Sequence, residues 1–246
     1  MPSARPVALV TGAAKRIGAQ IARRLHAHGY DLALHYRSSR ADMDALVREL
    51  ESARADSVIA LQAELAEFDR LPELIAQTVG RFGRLDALVN NASAYFATPI
   101  GSATPAQWDA LFASNARAPF FLAQAAAPHL QATHGAIVNI ADIYAERPLR
   151  GHSVYCMAKA ALVMATKALA VELGPDVRVN AVAPGNILWS DNPVKAETLD
   201  TVRQRTALAR QGELEDIAGA VLWLLTAAPY VTGQVLAVDG GRTLSI

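Results

Sequence analysis

Tyr155 and Lys159 stand four residues apart in an Ala-rich stretch with helical spacing, so their side chains share one face. A phenol titrates at about 10, and a nearby ammonium favours its ionised form. Lys159 is therefore expected to lower the Tyr155 value and make it a proton donor usable near neutral pH. A second cluster opens the chain. Thr11-Gly12-Ala13-Ala14-Lys15-Arg16-Ile17-Gly18 follows a short apolar run and leads into a helical pattern. Gly12 allows a tight turn, Gly18 allows a helix to approach a strand, and the helix N-terminus offers N–H groups to a pyrophosphate. At the end of the next apolar run, dinucleotide sites that take a free ribose 2′-hydroxyl place an acid. This chain reads Leu34-His35-Tyr36-Arg37-Ser38 there, and its next acid is Asp42. A guanidinium and a hydroxyl suit a 2′-phosphate, and Arg16 can add a second positive charge. The pattern predicts NADP(H) rather than NAD(H).

Short apolar runs alternate with helical patterns and would place these residues. Val7–Val10, Asp31–Tyr36, Ser57–Leu61, Ala87–Val89, Ala136–Ile140, Val177–Val182 and Gln234–Val238 read as strands. Helices are expected from the Thr11–Gly18 turn to Gly29, and over Ala41–Ala53, Arg70–Phe82, Thr104–Leu130, Ser153–Leu173 and Glu213–Thr226. The fourth of these contains Pro119 and Pro128, where it can kink. The strands are continuous Val/Leu/Ile/Ala runs, so both faces of the sheet should be covered. The expected fold is a single doubly wound α/β domain of the Rossmann type over residues 1–246, with about seven parallel strands and helices on both faces. One long irregular segment begins at Pro184 and is expected to form a substrate loop over about residues 184–212.

Composition excludes several function classes. The 246 residues carry 23 Lys+Arg and 23 Asp+Glu, a formal net charge of zero, so no broad basic surface for nucleic acid is expected. A single cysteine, Cys156, builds neither an intramolecular disulfide nor a Cys-rich metal site, and it is expected to pack in its helix. His26 and His28 sit two apart on a helical pattern and point away from each other, so no metal site is expected. No signal-peptide core opens the chain and apolar runs are interrupted by Gly, Pro or charge, which predicts a cytoplasmic protein without a membrane span. Trp108 and Trp223 are expected in the core. His152 is expected at the surface or as a helix cap, and Trp189 falls in the expected loop.

Thr11–Gly18, Asn90-Asn91-Ala92, Asn115, Tyr155-x-x-x-Lys159 and Pro184-Gly185 together resemble the short-chain dehydrogenase/reductase family over essentially the whole chain. The resemblance implies that Tyr155 donates a proton, Lys159 holds the nicotinamide ribose, and Asn115 positions a water in the proton relay. It also implies cofactor contacts from Gly12, Lys15, Arg16, Ile17 and Gly18, and from His35, Tyr36, Arg37 and Ser38. Glu64, Leu65, Asn91 and Ala92 would lie on the adenosine side, and Pro184 and Gly185 beside the nicotinamide. A homotetramer paired through the long Ala-rich helices is implied as well.

Two departures narrow the resemblance. Arg16 stands where most members have a second Gly, and Asp142, thirteen residues before Tyr155, stands where most have a catalytic Ser. That Ser donates a hydrogen bond to a carbonyl oxygen, whereas a carboxyl group donates only when protonated. An Asp suits a C=N bond whose nitrogen must receive a proton. Both departures, with His35-Tyr-Arg-Ser38 and Asn90-Asn-Ala-Ser-Ala-Tyr-Phe96, resemble the pteridine reductases within that family. This implies that Arg16 touches cofactor phosphate and pterin, and that Ser93 bonds both pterin and cofactor. Tyr95, where the subgroup has Phe, would stack on the pterin, and Asp142 and Tyr155 would form the proton relay. The implied reaction reduces a dihydropterin (dihydrobiopterin, dihydromonapterin or dihydrofolate among the candidates) to its tetrahydro form with NADPH. The alternatives are a short-chain reductase of a carbonyl or another imine, and a non-catalytic NADPH-binding protein.

Overall fold

The computed structural model describes residues 5–187, 200 and 204–244. Seven strands form one parallel sheet: β1 (Val7–Val10), β2 (Asp31–Tyr36), β3 (Val58–Gln62), β4 (Ala87–Asn90), β5 (Ala136–Ile140), β6 (Arg178–Pro184) and β7 (Val235–Val238). Their order is β3-β2-β1-β4-β5-β6-β7. The chain therefore steps outward from β1 to β3, returns to place β4 beside β1, and steps outward the other way. Loops leaving β1 and β4 diverge, which opens a crevice at the carboxyl ends of the strands.

The helices between strands are α1 (Arg16–Ala27), α2 (Arg40–Ala53), α3 (Leu71–Phe82), α4 (Pro105–Phe112), α5 (Ala118–Thr133), α6 (Ser153–Leu173) and α7 (Leu214–Thr226). Alternate strand residues feed two cores. Ala8, Val10, Leu32, Leu34 and Val138 pack with Ile21 and Leu25 of α1 and Val221 and Leu224 of α7. Val7, Leu9, Ala33, Ile137 and Val179 pack on the other face with Leu74 of α3, Leu122 of α5 and Leu169 of α6. Each buried Val, Leu or Ile side chain among them contributes about 1.5–3 kcal/mol, so the carboxyl edge rests on a rigid base.

The single helix expected over Thr104–Leu130 is interrupted. α4 ends at Phe112, a π turn spans Ala113–Arg117, and α5 begins at Ala118. The π turn lies directly before Pro119, which has no N–H to give the Asn115 carbonyl and whose ring would clash with that carbonyl in an unbroken α-helix, so the break falls at the first of the two prolines. Pro128 lies inside α5 without ending it. Asn115, inside the π turn, also bonds the Leu111 carbonyl through its side-chain amide at 2.9 Å. α6 is long and apolar enough by length and composition to cross a membrane, although Lys159 and Lys167 interrupt it. It lies instead against the sheet, with Leu162, Thr166 and Leu169 buried. Trp108 and Trp223 are also corrections: both are more than 40% exposed, at 42% and 44%. Trp108 stacks on Phe112 at the surface of α4. Cys156 is buried, as its helix position suggested.

Candidate active site

β1 delivers its Gly-rich turn to the crevice. Gly12 has φ +62°, and a Cβ on it would lie 2.9 Å from the Ala92 Cα. A Cβ on Gly18 would lie 2.3 Å from the Gly12 carbonyl oxygen, so only glycine lets α1 come this close. The turn is braced from β4. The Thr11 hydroxyl oxygen accepts from the N–H groups of Asn91 and Ala92, and the Asn91 amide donates to the Thr11 and Gly12 carbonyls. Lys15, at the start of α1, makes no side-chain cap, and the first turn contains no acid. The N–H groups there remain available to an anion. This cradle fits the pyrophosphate of a dinucleotide. Arg16 occupies the left-handed region at φ +52°, a conformation that costs a residue with a Cβ about 1 kcal/mol. Backbone strain of this kind clusters at functional sites.

The residues expected around the adenosine divide into two groups. Lys15, Arg37 and Ser38 are exposed at the rim. Arg37 is 3.8 Å from Glu64, and Lys15 is paired with Asp42 at 3.0 Å. His35, Tyr36 and Leu65 are buried, and Ile17 packs partly against the core. His35 accepts from the Gly12 N–H at Nδ1 (3.1 Å), and its Nε2 lies 3.1 Å from the Ala63 carbonyl, so Nε2 carries the proton. Burial holds this imidazole below its ordinary pKa. Its side chain supports the turn from beneath, and Tyr36 belongs to the core.

β5 and α6 build the reacting centre. Asp142 follows β5 and starts a short 3₁₀ turn, Ile143–Ala145. Its Oδ1 accepts from the Tyr144 N–H at 2.9 Å. This locks the carboxylate so that Oδ2 accepts from the Tyr155 hydroxyl at 2.6 Å, a short charge-assisted contact. Burial pushes Asp142 above the usual carboxylate range, against the pull of Tyr155, the Tyr144 N–H and Lys159. Lys159 is 2% exposed and donates to the Ile140 carbonyl at 2.8 Å. Burial lowers it to about 8, and the Asp142 charge opposes that fall. Tyr155 differs from the sequence expectation. It is pushed up rather than down, first by burial and then by Asp142. Its ring sits in a small apolar cluster with Leu111, Val154 and Cys156. The phenol is therefore held protonated, as a donor.

The β4 loop supplies the remaining walls. The Ser93 hydroxyl donates to Asn115 Oδ1 at 2.7 Å, and Asn115 Nδ2 donates to the Ala94 and Leu111 carbonyls. Asn115 thus ties the π turn to the loop. Tyr95, 56% exposed, meets Tyr155 edge-to-face with ring centroids 4.9 Å apart. Pro184 ends β6, and Gly185 follows it so tightly under β7 that a Cβ would lie 2.6 Å from the Asp239 Cα. The expected substrate loop begins and ends together: Ile187 bridges to Gly212, and the Gly212 N–H donates to the Asn186 carbonyl. Trp189 and most of that loop lie outside the described residues.

Sequence reasoning left three supporting residues out of the site. Thr11 was legible as the first residue of the turn. Thr98, fully buried, donates its N–H to the Gly151 carbonyl and accepts from the Val154 N–H, joining the β4 loop to α6. No spacing signalled it. His152, expected at the surface or as a cap, stands at the N-cap position of α6 with a surface side chain and also stacks on Tyr95.

A family model described as enoyl-(acyl carrier protein) reductase matches residues 12–243. Pteridine reductase 1 of Leishmania tarentolae is 36% identical, over 98% of this chain and 97% of its own length. A putative ketoacyl reductase 2 of granaticin polyketide synthase from Streptomyces violaceoruber is 39% identical, over 97% and 96%. L-xylulose reductase of Bos taurus is also 39% identical, over 95% of each chain. With the sheet order, the glycine turn and the Tyr155–Lys159 helix, these matches place the chain in the short-chain dehydrogenase/reductase family of oxidoreductases.

Proposed function

We propose that the protein is an NADPH-dependent reductase of dihydropterins. The observation that carries this reading is the Asp142 carboxylate at 2.6 Å from the Tyr155 hydroxyl, where reductases of carbonyls need a hydroxyl donor. When bound, the reduced nicotinamide supplies hydride to the carbon of a C=N bond. The chain's own residues do the rest. Gly12, Gly18 and the α1 N-terminus hold the pyrophosphate, while Arg37, Ser38 and Arg16 favour a 2′-phosphate. Lys159, held by the Ile140 carbonyl, is placed to bond the ribose and keeps a positive charge behind Tyr155. Tyr95 offers a flat, half-open ring to a planar heterocycle, and fixing that plane is where much of the rate gain of an oriented reaction arises. Asp142 and Tyr155 hold one proton between them and deliver it to the nitrogen, and solvent replaces it. Ser93 and Asn115 fix the loop that carries Tyr95.

The reading includes self-association. Met157, Met164 and Val171 recur every seven residues along α6 and are 42%, 63% and 83% exposed. Such a row on one helix face suits pairing with a second copy, consistent with a homotetramer. A second enzymatic reading, reduction of a ketone, is supported by the two relatives at 39% identity.

The test mixes purified protein with NADPH and 7,8-dihydrobiopterin and follows NADPH absorbance, with Tyr155→Phe and NADH as controls. Pterin-dependent loss of NADPH that falls at least about 100-fold in Tyr155→Phe supports the reading. NADPH binding without pterin turnover refutes it. Ketone turnover would then favour the second reading, and no turnover at all a binding protein.

A further inference from the structure

The rings of His152 and Tyr95 are stacked, with centroids 4.9 Å apart and planes 13° apart, and Tyr95 in turn meets the edge or face of Tyr155 at 4.9 Å. Three rings thus form a continuous row that ends on the proton donor. His152 occupies the N-cap position of α6, yet its side chain caps nothing there. Its Nδ1 lies 3.1 Å from the Arg150 carbonyl, and that bond fixes the plane of the ring. The loops that carry the two rings are also fastened to each other, since the buried Thr98 bonds both Gly151 and Val154. A side chain with no cap to make, a fixed plane and a stacked partner beside the reacting centre is arranged to hold that partner.

We propose that His152 is a positioning residue: its ring backs Tyr95 and holds it in the orientation that receives a flat heterocyclic substrate. The proposal rests on the dihydropterin reading for the identity of that substrate, but not for the placement of Tyr95. What matters is a flat ring at position 152, not a charge. An aromatic pair of this kind changes affinity by about 3- to 10-fold.

The test compares His152→Ala with His152→Phe. Neither removes a helix cap. The Michaelis constant for 7,8-dihydrobiopterin is expected to rise about 3- to 10-fold in His152→Ala. There kcat should stay within about twofold and NADPH affinity should not change. His152→Phe is expected to restore the wild-type value. In protein labelled with 3-fluorotyrosine, the Tyr95 resonance, assigned by its loss in Tyr95→Phe, should shift in His152→Ala and stay near its wild-type place in His152→Phe. An unmoved Tyr95 resonance in His152→Ala overturns the proposal. So does a shifted resonance with an unchanged Michaelis constant, or an equal loss in both variants. If the wild-type protein reduces no dihydropterin, the functional reading fails, and the fluorine signal still decides whether His152 places Tyr95.

Discussion

Replacing Asp142 with serine gives the site the hydroxyl that carbonyl reductases carry and removes the group on which the pterin reading depends. The Tyr155 hydroxyl loses its partner at 2.6 Å. A hydrogen bond to a charged group is worth about 1.5–3 kcal/mol, or roughly 10- to 150-fold in rate if it is realised in the transition state. Loss of a positioned proton relay costs about 10²–10⁴-fold. We therefore expect kcat/KM for 7,8-dihydrobiopterin to fall by about 100-fold or more. Folding should hardly suffer, because a serine oxygen can still accept from the Tyr144 N–H that Asp142 now caps, and a carboxylate whose burial is unfavourable has gone. The pH profile adds a second readout. Lys159 must stay charged, and its value of about 8 places an alkaline limb there. The Asp142 charge raises Lys159, so removing that charge moves the limb to lower pH. The assay is pterin-dependent NADPH oxidation from pH 6 to 9, beside NADPH titrations and thermal melts. Full pterin turnover in Asp142→Ser, with an unmoved alkaline limb, would refute the role assigned to the carboxylate.

Arg37→Ala should raise the Michaelis constant for NADPH about 10-fold and leave that for NADH unchanged, because its guanidinium is exposed and its only ion pair among the described residues, with Glu64, is long at 3.8 Å. Equal effects on both cofactors would remove Arg37 from the 2′-phosphate. Arg16→Gly should show opposite signs: relief of the φ +52° backbone stabilises the fold by up to about 1 kcal/mol, while NADPH and pterin affinity fall. A variant that melts lower, or binds as well as the wild type, contradicts this. The buried imidazoles predict acid lability. His26 is 4% exposed beside Ser57, and burial, with Arg54, lowers it from its ordinary 6.5. Burial acts in the same direction on His35. The unfolded chain takes up protons below about pH 6.5 that the native state refuses. This stability is complete above that pH and is lost as pH falls through the folded values. Thermal melts should drop between pH 7 and 5, and a flat melting temperature over that range would exclude the linkage.

The parts of the site that depend on short-range spacing were legible in the sequence, and the parts that depend on loops meeting across space were not. Tyr155 and Lys159 lie on one helix, so their spacing fixed their common face, and Gly12 and Gly18 declared the turn because no other residue fits it. The parallel sheet followed from continuous apolar strands. The direction of the Tyr155 shift did not follow, because it is set by desolvation in the cluster with Leu111, Val154 and Cys156 and by the Asp142 carboxylate, not by the lysine one turn away. The break at Ala113–Arg117 was legible in part: Pro119 announced a disturbance, but not its form as a π turn in which the Asn115 side chain takes the Leu111 carbonyl. That break has a use. Within the π turn one Asn115 amide bonds both the Leu111 and the Ala94 carbonyls, and its Oδ1 accepts from Ser93. π turns cluster at functional sites, and here the lost helical regularity fixes the loop that carries Tyr95. Asn115 therefore ties the π turn to the β4 loop through three hydrogen bonds. The same logic joins Arg16 to Asp142: each is held at some cost, one in backbone conformation and one in a buried carboxylate, and each follows a strand at the carboxyl edge of the sheet, β1 and β5.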